Sequence, residues 1–347
     1  MRITCILYFV IFCCTNSEAQ NWQLIWSDEF DGSDLDANFW THEIGTGNWG
    51  WGNGELQFYQ SENTIVSDGI LTIESREEPQ GIEGQWGVLH YYSSSRIVTR
   101  DKFDFRYGKI EARIKTIDGQ GFWPAFWLLP NGGCWPENGE IDIMEQWGNN
   151  YLTNSTTGAA HIGTCPYSQS THFYQNFSSY ISSGSFADDF HTYSIIWKED
   201  TITWFVDDVE MFQITPSSYF SIPSQHNWPF NSNNWYLMIN LAITQAGPNA
   251  NTIFPNNIQI DYVKVYQENI TSIDHKTLIS TLNFEDNILT FDPLKVKSVR
   301  VMDINGRKLS LIKDNNKIYT KSLSSGVYIV EAIQINGIRN YHKILIN

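Results

Sequence analysis

The sequence predicts an all-β protein in two unequal parts, and three observations carry that prediction. Apolar and polar residues alternate in Gly69-Ile70-Leu71-Thr72-Ile73-Glu74, in Lys109-Ile110-Glu111-Ala112-Arg113-Ile114, in Thr201-Ile202-Thr203-Trp204-Phe205-Val206 and in Ile258-Gln259-Ile260-Asp261-Tyr262-Val263. That two-residue period belongs to strands with one face buried. No stretch keeps a helical period beyond a couple of turns, and Gly, Asn, Asp and Pro punctuate the chain at short intervals. Many short strands in a segment of about 250 residues indicate two antiparallel sheets packed face to face.

The elements follow in order. Arg2, the apolar run Ile3 to Cys14 and the small residues of Ser17-Glu18-Ala19 read as a secretory signal over residues 1–19. Its apolar run is too short to span a bilayer. Residues 20–269 form the large part and 270–347 a small one, and charge marks the join. Residues 1–269 hold 11 Lys/Arg and 31 Asp/Glu, a net of −20, whereas 270–347 hold 11 and 7, a net of +4. All 14 Trp precede residue 236. The small part repeats the short-strand pattern in Val299-Arg300-Val301-Met302-Asp303 and Gly326-Val327-Tyr328-Ile329-Val330-Glu331.

Composition narrows function. Fifteen per cent aromatic residues exclude collagen, coiled coil and a disordered chain. A net charge of −16 argues against nucleic acid, since phosphate binding needs a basic surface. Abundant Trp suits ligands with flat apolar faces, as sugar rings have. Cleavage after Ala19 leaves Cys134 and Cys165, both in loops containing Gly and Pro. In an oxidising compartment they form either a disulfide or two buried thiols.

The chemistry concentrates in Gly139-Glu140-Ile141-Asp142-Ile143-Met144-Glu145-Gln146-Trp147-Gly148. On a strand Glu140 and Asp142 share a face, while Glu145 points to the other. One bulged residue, Ile143 or Met144, returns Glu145 to the first face. Glu140 and Glu145 then stand roughly 13 Å apart at Cα. Inward-leaning side chains can narrow that to the ~5–5.5 Å of a retaining glycosidase. One carboxylate must stay ionised to attack an anomeric carbon, and another must keep its proton for the leaving oxygen. Crowding and burial raise the pKa of the best-desolvated member, and Asp142 can hydrogen-bond the nucleophile. The bland alternatives are a solvated acidic strand and a calcium site, the latter favouring a loop with Asn and Gly between its acids.

Glu140-Ile-Asp142-Ile-Met-Glu145, preceded by Gly121-Phe-Trp123-Pro-Ala-Phe-Trp127-Leu-Leu-Pro, resembles glycoside hydrolase family 16 and its laminarinase-like branch. The likeness continues in Ile25-Trp-Ser-Asp-Glu29-Phe-Asp-Gly32, Asn53-Gly-Glu-Leu-Gln-Phe-Tyr59, Ser95-Arg-Ile-Val-Thr99, Tyr107-Gly-Lys-Ile-Glu-Ala-Arg113, Phe190-His-Thr-Tyr193 and Asp261-Tyr-Val-Lys-Val-Tyr-Gln267. The resemblance implies a β-jelly-roll sandwich with a concave cleft and retaining hydrolysis of internal β-glycosidic bonds. Glu140 matches the nucleophile, Asp142 the assisting acid and Glu145 the general acid/base. Trp123 and Trp127 match an aromatic floor, Asn53 and Arg96 sugar-hydroxyl positions, and His161 a cleft histidine. Core packing, a turn, a surface ion pair and a structural imidazole are the respective alternatives. Glu55 is either similar to Asn53 or a surface strand residue, and Trp49 and Trp51 either wall the cleft or anchor their loop.

The resemblance implies no cofactor for catalysis and one structural calcium, with Glu29, Gly69 and Asp261 at the matching places; pairing of Asp261 with a local Lys is the alternative. After Asn240-Leu-Ala-Ile243 the chain departs from the family's Gly-Gly turn and reads Thr244-Gln-Ala-Gly-Pro-Asn249 beside the cleft. Residues 270–347 resemble the type A C-terminal sorting domain of the type IX secretion system, through Val301-Met-Asp-Ile-Asn-Gly-Arg307, Leu323-Ser-Ser-Gly-Val-Tyr-Ile-Val330 and Lys343-Ile-Leu-Ile. A small carbohydrate-binding module is the rival, and the lack of Trp argues against it. The expected protein is a secreted or cell-surface monomer whose partners are a β-glucan and the export machinery. Its expected activity is endo-β-1,3-glucanase. Mixed-linkage glucan or agarose as substrate, or a non-catalytic β-glucan-binding protein, are the alternatives.

Overall fold

A computed structural model describes residues 22–148, 154–218, 228–268, 282–293, 296–303, 307–334 and 339–346. The expected signal segment lies outside the described residues. The chain divides into two compact units, one ending at Glu268 and the other beginning at Asn269. Among the described residues the helical turns are three to five residues long; the rest of the regular structure is strand.

The large unit is a sandwich of two sheets. One has ten strands, and its central path runs through His191–Lys198, Gly108–Lys115, Asn256–Glu268 and Ile70–Glu83. The other has seven, in the spatial order Phe173–Tyr180, Ser155–Ile162, Glu140–Glu145, Phe122–Pro130, Trp235–Ile243, Arg96–Val98 and Thr41–His42. Alternation delivers one face of each sheet to a shared apolar core that includes Ile73, Ile110, Ile195, Phe126, Leu128, Ile141 and Leu237. Burying each such side chain is worth about 1.5–3 kcal/mol.

Five of the tryptophans serve this core rather than a ligand: Trp26, Trp40, Trp197, Trp204 and Trp235 are buried. A buried indole N–H needs an acceptor. Trp197 donates to the Phe230 carbonyl at 3.0 Å, Trp235 to that of Ser232 at 3.0 Å, and Trp204 to that of Asp142 at 2.8 Å. Composition alone therefore overstates how much of the Trp faces sugar.

The strand Trp235–Ile243 is buried along its whole length. Trp235, Leu237, Ile239, Leu241 and Ile243 enter the inter-sheet core, whereas Tyr236 and Met238 join Val98, Trp127 and Leu129 in a second cluster on the opposite face. The seven-stranded sheet thus presents an aromatic and apolar floor on its outer face.

The small unit has its own core, including Leu289, Val299, Val301, Ile318 and Val330. It contains a four-stranded sheet, Leu282–Glu285, Ile288–Phe291, Lys317–Tyr319 and Ile312–Asp314, and a three-stranded one, Val296–Asp303, Gly326–Gln334 and Arg339–Ile346.

Candidate active site

The carboxylate strand lies third of seven across its sheet, with its bulge at Ile143. Asp142 faces Trp127, Met144 faces Phe126 and Glu145 faces Ala125, so two residues advance against one on the neighbouring strand. The same slip separates Asp142 and Glu145 on the other side, where they face Ala159 and Thr157. Ile141, Ile143 and Met144 all enter the core, and the three acids are left together on the outer face. Gly139, at φ +89°, ends the preceding loop in a conformation open to glycine, and a Cβ there would stand 2.9 Å from Trp235.

Rows of side chains cross the sheet at this point. Glu145 stands in register with Thr157 on one side and with Ala125, Asn240 and Arg96 on the other. Glu140 stands opposite His161, and His161 opposite Tyr174. The His161 Nε2 lies 3.1 Å from Asp142 Oδ2 and 3.8 Å from Glu140 Oε1. The Trp123 indole donates to Glu145 Oε1 at 2.9 Å. Trp123 also stacks on Trp147, ring centres 4.3 Å apart. Trp147 therefore lies on the outer face with Trp123, whereas Gln146 is buried.

Burial pushes all three carboxyl groups up to about 8. For Glu140 the Asp142 charge adds to burial, and His161 and a hydrogen bond from Trp135 oppose it. For Glu145 the Asp142 charge again adds, opposed by the Trp123 hydrogen bond and His161. Asp142 is raised by burial alone. Ionising one member makes the next harder to ionise, so the trio sheds protons in steps. Once the first proton leaves, such a site holds an anion and a proton donor side by side.

Beyond the acids, Arg96 is neither free nor a surface pair. Its Nε donates to Glu43 Oε2 at 2.6 Å, with both side chains 9% exposed. Arg100 Nη2 holds the other Glu43 oxygen at 2.6 Å. The Arg96 guanidinium lies over Trp51 at 4.2 Å and Trp127 at 5.1 Å. Trp127 donates to Asn240 Oδ1 at 2.7 Å, Asn240 to the Tyr59 hydroxyl at 3.2 Å, and Tyr59 to Glu55 at 3.0 Å. Glu55 also accepts from Gln57 at 2.7 Å and from exposed Asn53 at 3.3 Å. It is buried, not a surface strand residue, and burial raises its pKa. Trp49 is 91% exposed and clear of the floor, whereas Trp51 rests against Tyr59. The divergent loop after Ile243 is tied in by Thr244, whose N–H donates to the Gly121 carbonyl at 2.8 Å, and Gln245 packs on Gly54.

Sequence reasoning missed Glu43 and His172. His161 Nδ1 lies 2.9 Å from His172 Nε2, and the two rings stack at 5.1 Å. With His172 donating, His161 carries its proton on Nε2, 3.1 Å from an Asp142 Oδ2 that makes no hydrogen bond. Burial, then His161, lowers the His172 pKa, which favours that neutral arrangement. No local spacing marks either residue; each arrives by strand pairing. Cys134 and Cys165 are disulfide-bonded, with Cα atoms 6.2 Å apart.

Two places offer metal donors. Glu140, Asp142 and His161 bring one ligand atom each within 4.8 Å of one another. At the expected calcium position the Glu29 carbonyl and Asp31 Oδ1 both lie beside Gly69. The carboxylates there are already engaged: Asp261 pairs with Arg113 at 2.6 Å and Glu29 with Lys264 at 3.2 Å.

Three acids turned to one side by a bulge, over a tryptophan-lined sheet, form an arrangement suited to hydrolysis through paired carboxyl groups. The chain belongs to the glycosyl hydrolases family 16, whose profile matches residues 48–264. It is 38% identical over 268 residues to the glucan endo-1,3-beta-glucosidase A1 of Niallia circulans, covering 71% of this chain and 38% of that protein, so it spans well under half of that relative's length. It is 36% identical to a beta-glucanase of Rhodothermus marinus over 77% of this chain and 95% of the other. The laminarinase catalytic domain of Thermotoga maritima aligns with a TM-score of 0.64 at 37% identity, covering 72% of this chain and 99% of that domain.

Two outcomes follow from the geometry. Inserting one Ala after Met144 turns Glu145 into the apolar interior and cuts the release of reducing ends from polysaccharide at least ~100-fold. Deleting Ile143 instead leaves plain alternation, with the three acids still together, and retains measurable release. The second outcome concerns pH. Glu140 is raised from 4.5 to about 8, so across that window the folded chain holds a proton the unfolded chain has lost. Its contribution to stability is complete below the lower value and disappears as pH rises through the upper one. Glu140→Gln removes this dependence: its Tm should exceed that of the unaltered protein by roughly 5 °C at pH 8 and match it near pH 4. Equal differences at both pH values in a melting series would refute the assignment.

Proposed function

We propose that the protein is a secreted, monomeric, retaining endo-β-1,3-glucanase acting on laminarin-like β-glucan. The observation that carries the reading is the bulged strand with Glu140, Asp142 and Glu145 on the floor built by Trp123 and Trp127. Glu140 attacks the anomeric carbon. The His161 imidazole and the Trp135 indole N–H favour its ionised form. Glu145 protonates the leaving oxygen and, once proton-depleted, activates the water that releases the glycosyl-enzyme. Asp142, raised by burial with nothing opposing it, keeps its proton longest and donates to the Glu140 carboxylate. Arg96, fixed by Glu43 and flanked by Trp51 and Trp127, orients sugar hydroxyls together with Asn53. Residues 1–269 hold only 11 Lys/Arg against 31 Asp/Glu, which favours a neutral polymer over a sulfated one.

The test compares reducing ends released from laminarin, lichenan and agarose. Laminarin should be cut fastest, and Glu140→Gln should abolish turnover while oligosaccharide binding persists. Faster cutting of agarose or lichenan would move the substrate assignment. Residues 270–347 are proposed as a type IX sorting domain. The proposal rests on sequence resemblance and on a separate core lacking Trp. A chain ending at residue 268 should hydrolyse as well as the full chain in the same assay and fail to be exported. Among the described residues no helix is long and apolar enough to cross a membrane.

Calcium at Glu29, Gly69 and Asp261 is proposed as structural only. Clustered oxygens at Gly69 suit a hard cation, but the Asp261 pair with Arg113 does not, and a bound ion would have to displace that guanidinium. If it does, chelator lowers Tm without changing the pH profile of turnover; an unchanged Tm removes calcium from the protein.

A further inference from the structure

We propose that the two disulfide-joined loops, residues 131–139 and 163–172, form a second arm of the cleft that binds neutral β-linked glucosyl units of the same chain that is cut. The proposal rests on the glucanase reading and places these sugars on the far side of the acids from Arg96 and Trp51.

Sheet order dictates the two sides. Arg96 lies three strands from the carboxylate strand in one direction, and His161 and Tyr174 lie one and two strands away in the other. A polymer threaded across the strands must pass over both. On the second side five rings form a continuous surface. Trp135 contacts Tyr167 at 5.1 Å and His172 at 5.0 Å, and His161 contacts His172 at 5.1 Å and Tyr174 at 5.4 Å. Trp135 is 39% exposed, Tyr167 52% and Tyr174 57%. A contiguous exposed aromatic surface rimmed by polar groups marks a binding site, and this one begins at the three acids, since His161 Nε2 lies 3.1 Å from Asp142 Oδ2 and 3.8 Å from Glu140 Oε1.

The occupant follows from continuity and charge. Residues 163–172 contain no Lys, Arg, Asp or Glu, and residues 131–139 contain only Glu137; neither loop offers cations to a sulfated sugar. The disulfide supplies the rigidity. Cys134 adjoins Trp135, and Cys165 lies two residues from Tyr167, so one bond ties together the bases of both ring-bearing loops. Holding the rings in place before binding removes an ordering cost that free loops would incur.

The experiment measures kcat/KM on laminari-oligosaccharides of rising length, with reducing-end label to locate the bond cut. Tyr167→Ala, which leaves the disulfide intact, should lose roughly tenfold on the longer oligosaccharides, with the loss growing with chain length and the cleavage position shifting. The Cys134→Ser/Cys165→Ser double variant should show the same pattern, and dithiothreitol should reproduce it in the unaltered protein. An unchanged length dependence and cleavage position in Tyr167→Ala overturns the proposal, whatever the folding of the double variant. Should the unaltered protein ignore laminari-oligosaccharides, the glucanase reading falls, and the same comparison on the oligosaccharides it does cut decides the arm separately.

Discussion

A strand alternates its side chains strictly, and a row of three acids within six residues would be split between solvent and core by that rule. The extra residue at Ile143 changes the outcome. It spends one peptide on a kink, sends two consecutive apolar side chains into the core, and leaves every carboxyl on the outer face. The apolar sheet beneath them cannot hydrate three anions, which is why burial raises all three pKa values. The remaining features of the site answer that electrostatic problem. Indole N–H groups from Trp123 and Trp135 and the His161 imidazole are the donors available to share the charge.

Much of this was legible in the sequence. Alternation revealed the strands, the step in charge near residue 269 matched a change in composition, and the spacing of Glu140, Asp142 and Glu145 required a bulge between the last two. What escaped the sequence was everything reached through strand pairing. Glu43 fixes Arg96 from 53 residues away. From sequence Glu55 reads equally as a sugar-hydroxyl position or a surface strand residue, and only Gln57, Tyr59 and Asn53 closing around it show that it is buried. His172 sits before its strand with no periodic neighbour, and only folding brings it onto His161. Local pattern reports which face a residue takes; it is silent on which distant chain meets that face.

Tryptophan illustrates the same limit. Its abundance pointed to sugar recognition, and the structure divides the residue between two tasks. One group fills the interior and satisfies its N–H groups on main-chain carbonyls. Another lines the outer face and directs N–H groups at acids and amides. The ring is the same; the acceptor available to its nitrogen differs.

One member of the interior group connects the two layers. Trp204 belongs to the ten-stranded sheet, yet its indole reaches through the core to the carbonyl of Asp142. The pose of the reacting groups in front is thereby anchored to the back wall of the molecule. A lesion on the rear sheet, remote from any sugar, would be felt at the front as a loosened peptide under the central acid.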